Sequence, residues 1–149
     1  MPKLDLDAFP LVNTTNYPPP FHEQVAGRWS RKLARQAGIT DFGVNLITLE
    51  PGAWSSQRHW HEGEDEFAVL LAGEAVLVEN AGRTLLRAGD CAAFPKGSGD
   101  GHHLLNESNA LCTFLVFGCA PGSDCHYSDV DLHLDLKLGG YRHKDATPY

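Results

Sequence analysis

The sequence lacks the features that would place the protein in a membrane or in an oxidising compartment. No stretch of the 149 residues approaches the roughly 20 consecutive apolar residues that a membrane span requires. Asp5 and Asp7 lie where a secretory signal peptide would have its apolar core. The cysteines form no Cys-x-x-Cys pair, so we interpret them as small hydrophobic residues of a reducing compartment. They are Cys91, Cys112, Cys119 and Cys125. We therefore expect a cytoplasmic protein with no membrane partner.

Positive charge is also scarce. The chain has 12 Lys+Arg against 19 Asp+Glu, a formal net charge of −7, which argues against nucleic acid or an anionic membrane as the main partner. The sequence has no glycine-rich phosphate loop and no serine–histidine–aspartate arrangement. It does have 15 glycines, 9 prolines and 42% hydrophobic residues. This composition is typical of one globular domain of short strands joined by tight turns.

From Phe42 onward the sequence has the pattern of an all-β protein. Short apolar or alternating segments bounded by Gly, Pro and Asn predict a series of strands. These strands cover residues 42–49, 55–61, 66–72, 74–78, 84–87, 91–94, 102–106 and 111–117. Residues 129–138 alternate strictly between polar and apolar side chains, which predicts a half-buried strand at a sheet edge or at a dimer contact.

The N-terminal segment has a different pattern. The first 20 residues predict an extended arm, which ends in a proline-rich stretch. Apolar residues then recur every fourth position, which predicts a short amphipathic helix over residues 23–37, ended by Gly38. We interpret the basic residues of this segment as the solvated face of that helix rather than as a phosphate site. They are Arg28, Arg31, Lys32 and Arg35.

Four of the eight histidines lie in two tight pairs, His59/His61 and His102/His103. Two imidazoles at i and i+2 of a strand project from the same face and make half of a metal site. Glu66 follows after a short loop, where its carboxylate would compensate the charge of a divalent cation. His102 is a candidate fourth ligand from a separate strand. Because His102 and His103 are adjacent, only one of them can face inward on a strand.

Two segments around these histidines resemble the two sequence motifs of the cupin superfamily. The first motif is matched by Gly52, followed by His59-x-His61-x4-Glu66-x6-Gly73. The second is matched by Gly89-x5-Pro95-x-Gly97, followed by His102-x3-Asn106. The order of the motifs, the closing glycine and the His-x3-Asn ending agree with the family, and so does the short gap between the motifs.

Two loops are longer than the family's usual spacing. Six residues precede the first histidine after Gly52, and four residues lie between Gly97 and His102. Neither insertion changes the spacing between the ligands themselves. We choose His102 rather than His103 as the inward residue, because only His102 keeps the three-residue spacing to Asn106. The runs around both motifs and the C-terminal ending also resemble a bacterial single-domain cupin subgroup of unsettled function.

The resemblance implies an all-β double-stranded β-helix, the jelly-roll barrel of cupins, with a divalent transition metal inside. The implied ligands are His59, His61, Glu66 and His102. Three imidazoles and one carboxylate suit Fe, Mn, Ni or Zn, and the ligand types do not select among them. We expect three segments: an N-terminal arm with a short helix (1–41), the barrel (42–138) and a C-terminal tail (139–149).

Cupin barrels often pair, and both faces of residues 66–72 are apolar, so we expect a homodimer. Two functional hypotheses follow from the ligand set. In the first, the protein is a metalloenzyme of oxygenase, isomerase or lyase type that acts on a small polar organic acid or a sugar derivative. In the second, it is a non-catalytic barrel whose metal anchors a small molecule for binding or sensing. A purely structural metal is a third, lesser hypothesis, because a domain of this length can fold without one.

Overall fold

The computed structural model describes residues 3–119 and 123–149, and these residues form an almost entirely β structure. They contain one α-helix, α1 (Leu33–Gln36), and one 3-10 helix (Leu6–Ala8). The strands, in chain order, are β1 (Arg28–Lys32), β2 (Phe42–Leu49), β3 (His59–His61), β4 (Glu66–Ala72), β5 (Glu74–Glu79), β6 (Gly82–Arg87), β7 (Cys91–Phe94), β8 (His103–Leu105), β9 (Cys112–Cys119), β10 (Cys125–Tyr127), β11 (His133–Asp135) and β12 (Gly140–Arg142).

The strands form three antiparallel sheets with long crossovers between sequence-distant strands. The largest sheet has the order β1-β2-β9-β4-β7, and the smaller ones have the orders β12-β11-β10-β3 and β6-β5-β8. β2 pairs with β9 over eight residue pairs, although more than 60 residues separate the two strands. This topology is that of a jelly-roll barrel. The predicted all-β double-stranded β-helix is thus confirmed.

The main core lies between the largest sheet and the β6-β5-β8 sheet. Leu49 is fully buried, and Phe114 and Leu70 are 1% and 2% exposed. Burying a side chain of this size stabilises the fold by roughly 1.5–3 kcal/mol. The alternation of β4 puts Ala68 and Leu70 inside, whereas Phe67 on the outer face is 41% exposed. A smaller core lies under the sheet that contains β10.

The predicted helix over residues 23–37 is wrong for most of its length. Residues 28–32 are β1, which pairs with β2 from Arg28↔Leu49 to Lys32↔Asn45. A repeat of four residues also keeps side chains on one face of a strand, so the apolar spacing did not distinguish the two structures. Hydrogen bonds to β2 stabilise the strand rather than the helix, and only Leu33–Gln36 are helical.

The predicted strand over residues 129–138 is also too long. Only His133–Asp135 are extended, and this strand lies between β10 and β12 rather than at the edge of its sheet. The carboxylate of Asp135 accepts the backbone N–H of Leu138 at 2.7 Å and turns the chain. The tail that follows supplies the edge strand β12. The strand expected at residues 55–61 is likewise reduced to His59–His61.

In the described part of the chain, no helix is long and apolar enough to cross a membrane. The cytoplasmic location stays a prediction.

Candidate metal centre

Three separate segments bring the predicted ligands together. His59 and His61 project from the same face of β3, and Glu66 begins β4. His102 reaches them through a pair of backbone hydrogen bonds with His59: the His102 N–H donates to the His59 carbonyl at 2.8 Å, and the His59 N–H donates to the His102 carbonyl at 3.2 Å. The backbone therefore fixes the relative position of the two motifs.

The side chains converge on one carboxylate oxygen. Glu66 Oε2 lies 2.9 Å from His102 Nε2, 3.4 Å from His61 Nε2 and 3.9 Å from His59 Nε2. Donor atoms bound to one ion at about 2.1 Å lie about 3.0–3.4 Å apart in octahedral or tetrahedral geometry. The donor atoms of His59, Glu66 and His102 all lie within 4.8 Å of one another. The donors of this three-residue group fit a divalent transition metal, and His61 joins them through its approach to Glu66 Oε2.

The backbone sets the tautomer of His59. Its Nδ1–H donates to the Gln57 carbonyl at 2.9 Å, which leaves the Nε2 lone pair facing the cluster. Burial lowers the pKa of His59 to about 3, so the ring is neutral, as a metal ligand must be. Burial acts to raise the pKa of Glu66, but the hydrogen bonds from His102 and His61 hold it well below the usual value. Glu66 is therefore a carboxylate.

Glu64 lies beside the second histidine. Its Oε2 is 3.7 Å from His61 Nδ1, a buried atom with no hydrogen-bond partner among the described residues. A Cβ on Gly118 would lie 2.5 Å from Glu64 Oε1, so a larger residue there would displace this carboxylate. The structure places it half-buried against His61.

His103 does not join the cluster. Its Nδ1–H donates to the Ser56 carbonyl at 3.0 Å, and its ring packs edge-on against Trp54. The motif's Asn106 is fully buried and donates to the carbonyls of Leu49 and Ala110, so it holds the turn after β8 rather than the site. Of the adjacent histidines, His102 is thus the one that the structure brings to Glu66.

Two residues that lie beside the histidines are not evident from the sequence. In the register of β3 and β10, Cys125 is opposite His61 and Tyr127 is opposite His59. The Cys125 sulfur lies within 4.8 Å of donor atoms of both histidines. Burial raises the pKa of its thiol to about 12, so it stays protonated. The i, i+2 spacing of Cys125 and Tyr127 matches that of the histidines, but the sequence does not show that the two strands pair.

The cluster opens into a cavity of about 220 Å³ inside the barrel. Glu66, His59 and His102 line one part of it. Polar side chains from β1, β2, the loop before β3 and the N-terminal arm line another part: Tyr17, Arg28, Asn45, Ser55 and Ser56. The interpretation of Arg28 as part of a solvated helix face is therefore wrong, because residue 28 is on a strand and turns inward.

An arginine next to a candidate ligand could bind an anionic substrate, but Arg58 binds other parts of the chain instead. Its guanidinium makes a bidentate pair with Asp129, at 2.8 and 2.7 Å, and also donates to the Gly101 carbonyl at 3.0 Å. The side chain thus ties three loops together on the outside of the site. This agrees with the strand parity, which directs Arg58 away from His59.

A second group of candidate ligand atoms lies outside the barrel, at Asp124, His133 and Asp135. Both carboxylates already accept backbone N–H groups, from Leu136 at 3.0 Å and from Leu138 at 2.7 Å. Local turns therefore account for this group.

Comparison with known proteins agrees with the geometry. Residues 45–118 match the family model described as the cupin domain. No curated protein matches the chain in sequence. Among solved structures, a sugar phosphate isomerase of the cupin superfamily from Silicibacter pomeroyi is 41% identical, with a TM-score of 0.93 over 99% of this chain and 96% of that one.

Two further structures show how widely the fold is used. A protein from Acidithiobacillus ferrooxidans, provisionally named a sugar phosphate isomerase, is 26% identical, with a TM-score of 0.69 over 79% of this chain and 73% of that one. A polyketide cyclase from Streptomyces resistomycificus is 18% identical, with a TM-score of 0.66 over 81% of this chain and 80% of that one. The cyclase shares the fold alone, since barrels of this kind serve unrelated reactions.

Proposed function

This chain belongs to the cupin superfamily, and we propose that it is a metal-dependent isomerase of a small sugar phosphate. The observation that carries the proposal is that candidate metal ligands and sugar-binding polar groups line the same cavity. The imidazoles of His59 and His102 and the Glu66 carboxylate line it together with hydroxyl and amide groups. The likeness to the Silicibacter pomeroyi protein over nearly the full length of both chains supports the same activity.

We propose that His59, His61, Glu66 and His102 hold one divalent ion, which is Fe, Mn, Ni or Zn. Four protein ligands leave up to two positions of an octahedral ion open. A bound ion would polarise the carbonyl and hydroxyl oxygens of adjacent sugar carbons, which eases proton transfer between them. Aldose–ketose interconversion needs no net oxidant, so the site requires no second cofactor.

The chain's own residues supply binding and shielding. Tyr17, Asn45 and Ser56 present groups that suit the hydroxyls of a sugar. Phe94 and Phe114 form apolar walls that exclude water from the reacting carbons. Burial raises the pKa of the Tyr17 hydroxyl well above its usual value, so Tyr17 acts as a neutral hydrogen-bonding group.

A second candidate function is non-catalytic binding or sensing of a small molecule through the same metal. One observation favours it: Glu66 is the sole carboxylate among the described residues that line the cavity, and it is also a candidate ligand. No separate carboxylate is then available to move a proton.

Solvent-deuterium exchange distinguishes the two functions. Metal-loaded protein is incubated in D₂O with aldose phosphates of three to six carbons, and products are followed by NMR. An isomerase forms the ketose and incorporates deuterium at the carbon next to the carbonyl, and chelation or His102→Ala abolishes both. Metal-dependent binding of these compounds without exchange or conversion would instead support the binding barrel.

We also propose that the protein is a homodimer paired through the outer face of the largest sheet. Three large apolar side chains of this sheet are exposed: Phe42 by 45%, Phe67 by 41% and Leu71 by 47%. Apolar patches of this kind on a sheet face mark contact surfaces. Because the chain is a cupin, and cupin barrels often pair, we assign the patch to a second copy.

A further inference from the structure

The cavity lined by His59, Glu66 and His102 also contains the guanidinium of Arg28. Arg28 is half-buried, and none of the carboxylates in the described residues forms an ion pair with it. By contrast, Arg31 on the same strand pairs with Asp7. A cation removed from water without a counter-ion is costly, so an anion is expected beside it.

We propose that Arg28 binds the phosphate group of the substrate, at a distance from the metal cluster. This assignment rests on the proposed isomerase function for the identity of the phosphate's carrier. The binding site itself is defined by Arg28 and its neighbours in the cavity.

The guanidinium has donors free for this role. Its Nη1 donates to the Ser55 carbonyl at 3.0 Å, and its Nη2 donates to the Thr14 carbonyl at 3.4 Å. Two of its five N–H groups thus donate to described residues, and these bonds fix the orientation of the guanidinium plane. The remaining N–H groups suit the bidentate geometry of a phosphate. Tyr17 and Ser56 add hydroxyls to the same cavity.

Strand register separates the anion end from the metal end. Arg28 is opposite Leu49, whereas Glu66 lies in the row of Gly118 and Gly43. Residues 43 and 49 are six positions apart on β2, so Arg28 and Glu66 enter the cavity from different rows of the sheet. The arrangement suits a substrate with its phosphate at one end and its reacting carbons at the other.

Two other cations lie near the site but fit phosphate less well. Lys32 and Arg35 line a neighbouring groove, and both are exposed. Glu64 and Glu66 line the same groove. Carboxylates there would repel a phosphate, whereas the described lining of the Arg28 cavity has no carboxylate apart from Glu66.

Calorimetry with small probes tests the assignment. Glycerol 3-phosphate is the probe, glycerol and acetate are its uncharged and carboxylate counterparts, and each is titrated into metal-loaded and chelator-treated protein. We expect Arg28→Met to weaken glycerol 3-phosphate binding at least tenfold in both states. Arg31→Met, on the outer face of the same strand, and Lys32→Met should bind as the wild type does. Glycerol and acetate should bind at least tenfold more weakly than the phosphate.

Several outcomes would overturn the assignment. They are wild-type affinity in Arg28→Met, phosphate binding that requires the metal, equal binding of acetate, or loss of binding in Lys32→Met alone. If Arg28→Met does not fold, Arg28→Lys tests the assignment instead. It keeps the positive charge but loses the planar guanidinium, so it should bind glycerol 3-phosphate at least threefold more weakly than wild type. Arg28-dependent phosphate binding without turnover of any sugar phosphate would support the anion site and contradict the isomerase.

Discussion

His102 Nε2 lies 2.9 Å from Glu66 Oε2, although 36 residues separate them in the chain. Phe94 lies next to both residues. It is opposite Glu66 in the register of β4 and β7, and its ring stacks on His102 with centroids 3.6 Å apart. One residue thus adjoins two candidate ligands, Glu66 through strand pairing and His102 through its ring. The site is organised by strand pairing and stacking before any ion binds.

Removing this stacking should weaken metal binding. Phe94→Leu keeps an apolar wall but frees the His102 ring, and loss of a residue that orients a ligand typically costs 10–100-fold in affinity. We expect a dissociation constant for the metal that is about tenfold higher in chelator-competition titrations. The matched control is Phe67→Leu on the outer face of β4, which should not change the affinity. Equal affinities in all three proteins would show that Phe94 does not position the ligand.

Asp129 should stabilise the fold only above acidic pH. Its pKa is lowered first by the hydrogen bond from Arg58, so the pair contributes above the unfolded pKa of about 3.9 and is lost as pH falls through the folded value. Because Asp129 is 57% exposed, we expect Asp129→Asn to cost about 0.5–1 kcal/mol at pH 7. In urea melts the difference from wild type should shrink below about pH 4. A difference independent of pH would contradict this account.

The cysteines should differ sharply in reactivity. Cys112 is fully buried, and burial raises the pKa of its thiol to about 11, whereas Cys91 is exposed. Iodoacetamide at pH 8 should therefore modify Cys91 and spare Cys112 in the folded protein. Peptide mass spectrometry measures both sites, and urea-unfolded protein gives the reference for complete labelling. Rapid labelling of Cys112 under native conditions would show that this part of the core opens.

The homodimer should depend on the outer face of β4. Phe67→Asp places a charge in the proposed contact, and light scattering after gel filtration should shift from twice the chain mass to a single chain. The control is Leu85→Asp, which is also an exposed apolar residue, at 42%, but lies on a different sheet. Wild type that elutes as a monomer at all concentrations would refute the dimer.

Local patterns predicted the central strands well and the pairings poorly. The predicted bounds of residues 42–49, 66–72 and 91–94 coincide with β2, β4 and β7, because alternation and turn residues are local signals. β1 was missed because its structure depends on hydrogen bonds to β2, 13 to 21 residues further along the chain. For the same reason the sequence did not show that Arg28 faces the cavity. The direction of a side chain can be inferred only once the pairing of its strand is known.

The candidate ligands were accessible from sequence because the spacing of His59, His61 and Glu66 resembles a family motif. Cys125 and Tyr127 were not, since their place beside the histidines follows from the pairing of β10 with β3. No local signal specifies that pairing. The sequence therefore identified the candidate donors but not the side chains that surround them.

Metal content measured by plasma mass spectrometry tests the central claim most directly. Wild type should carry about one equivalent of a transition metal, and His59→Ala and His102→Ala should lose it while remaining folded by circular dichroism. His103→Ala and His133→Ala, which alter histidines outside the cluster, should keep the metal. A folded wild type that contains no metal and binds none when supplied, or loss of metal from His103→Ala but not from His102→Ala, would contradict the account.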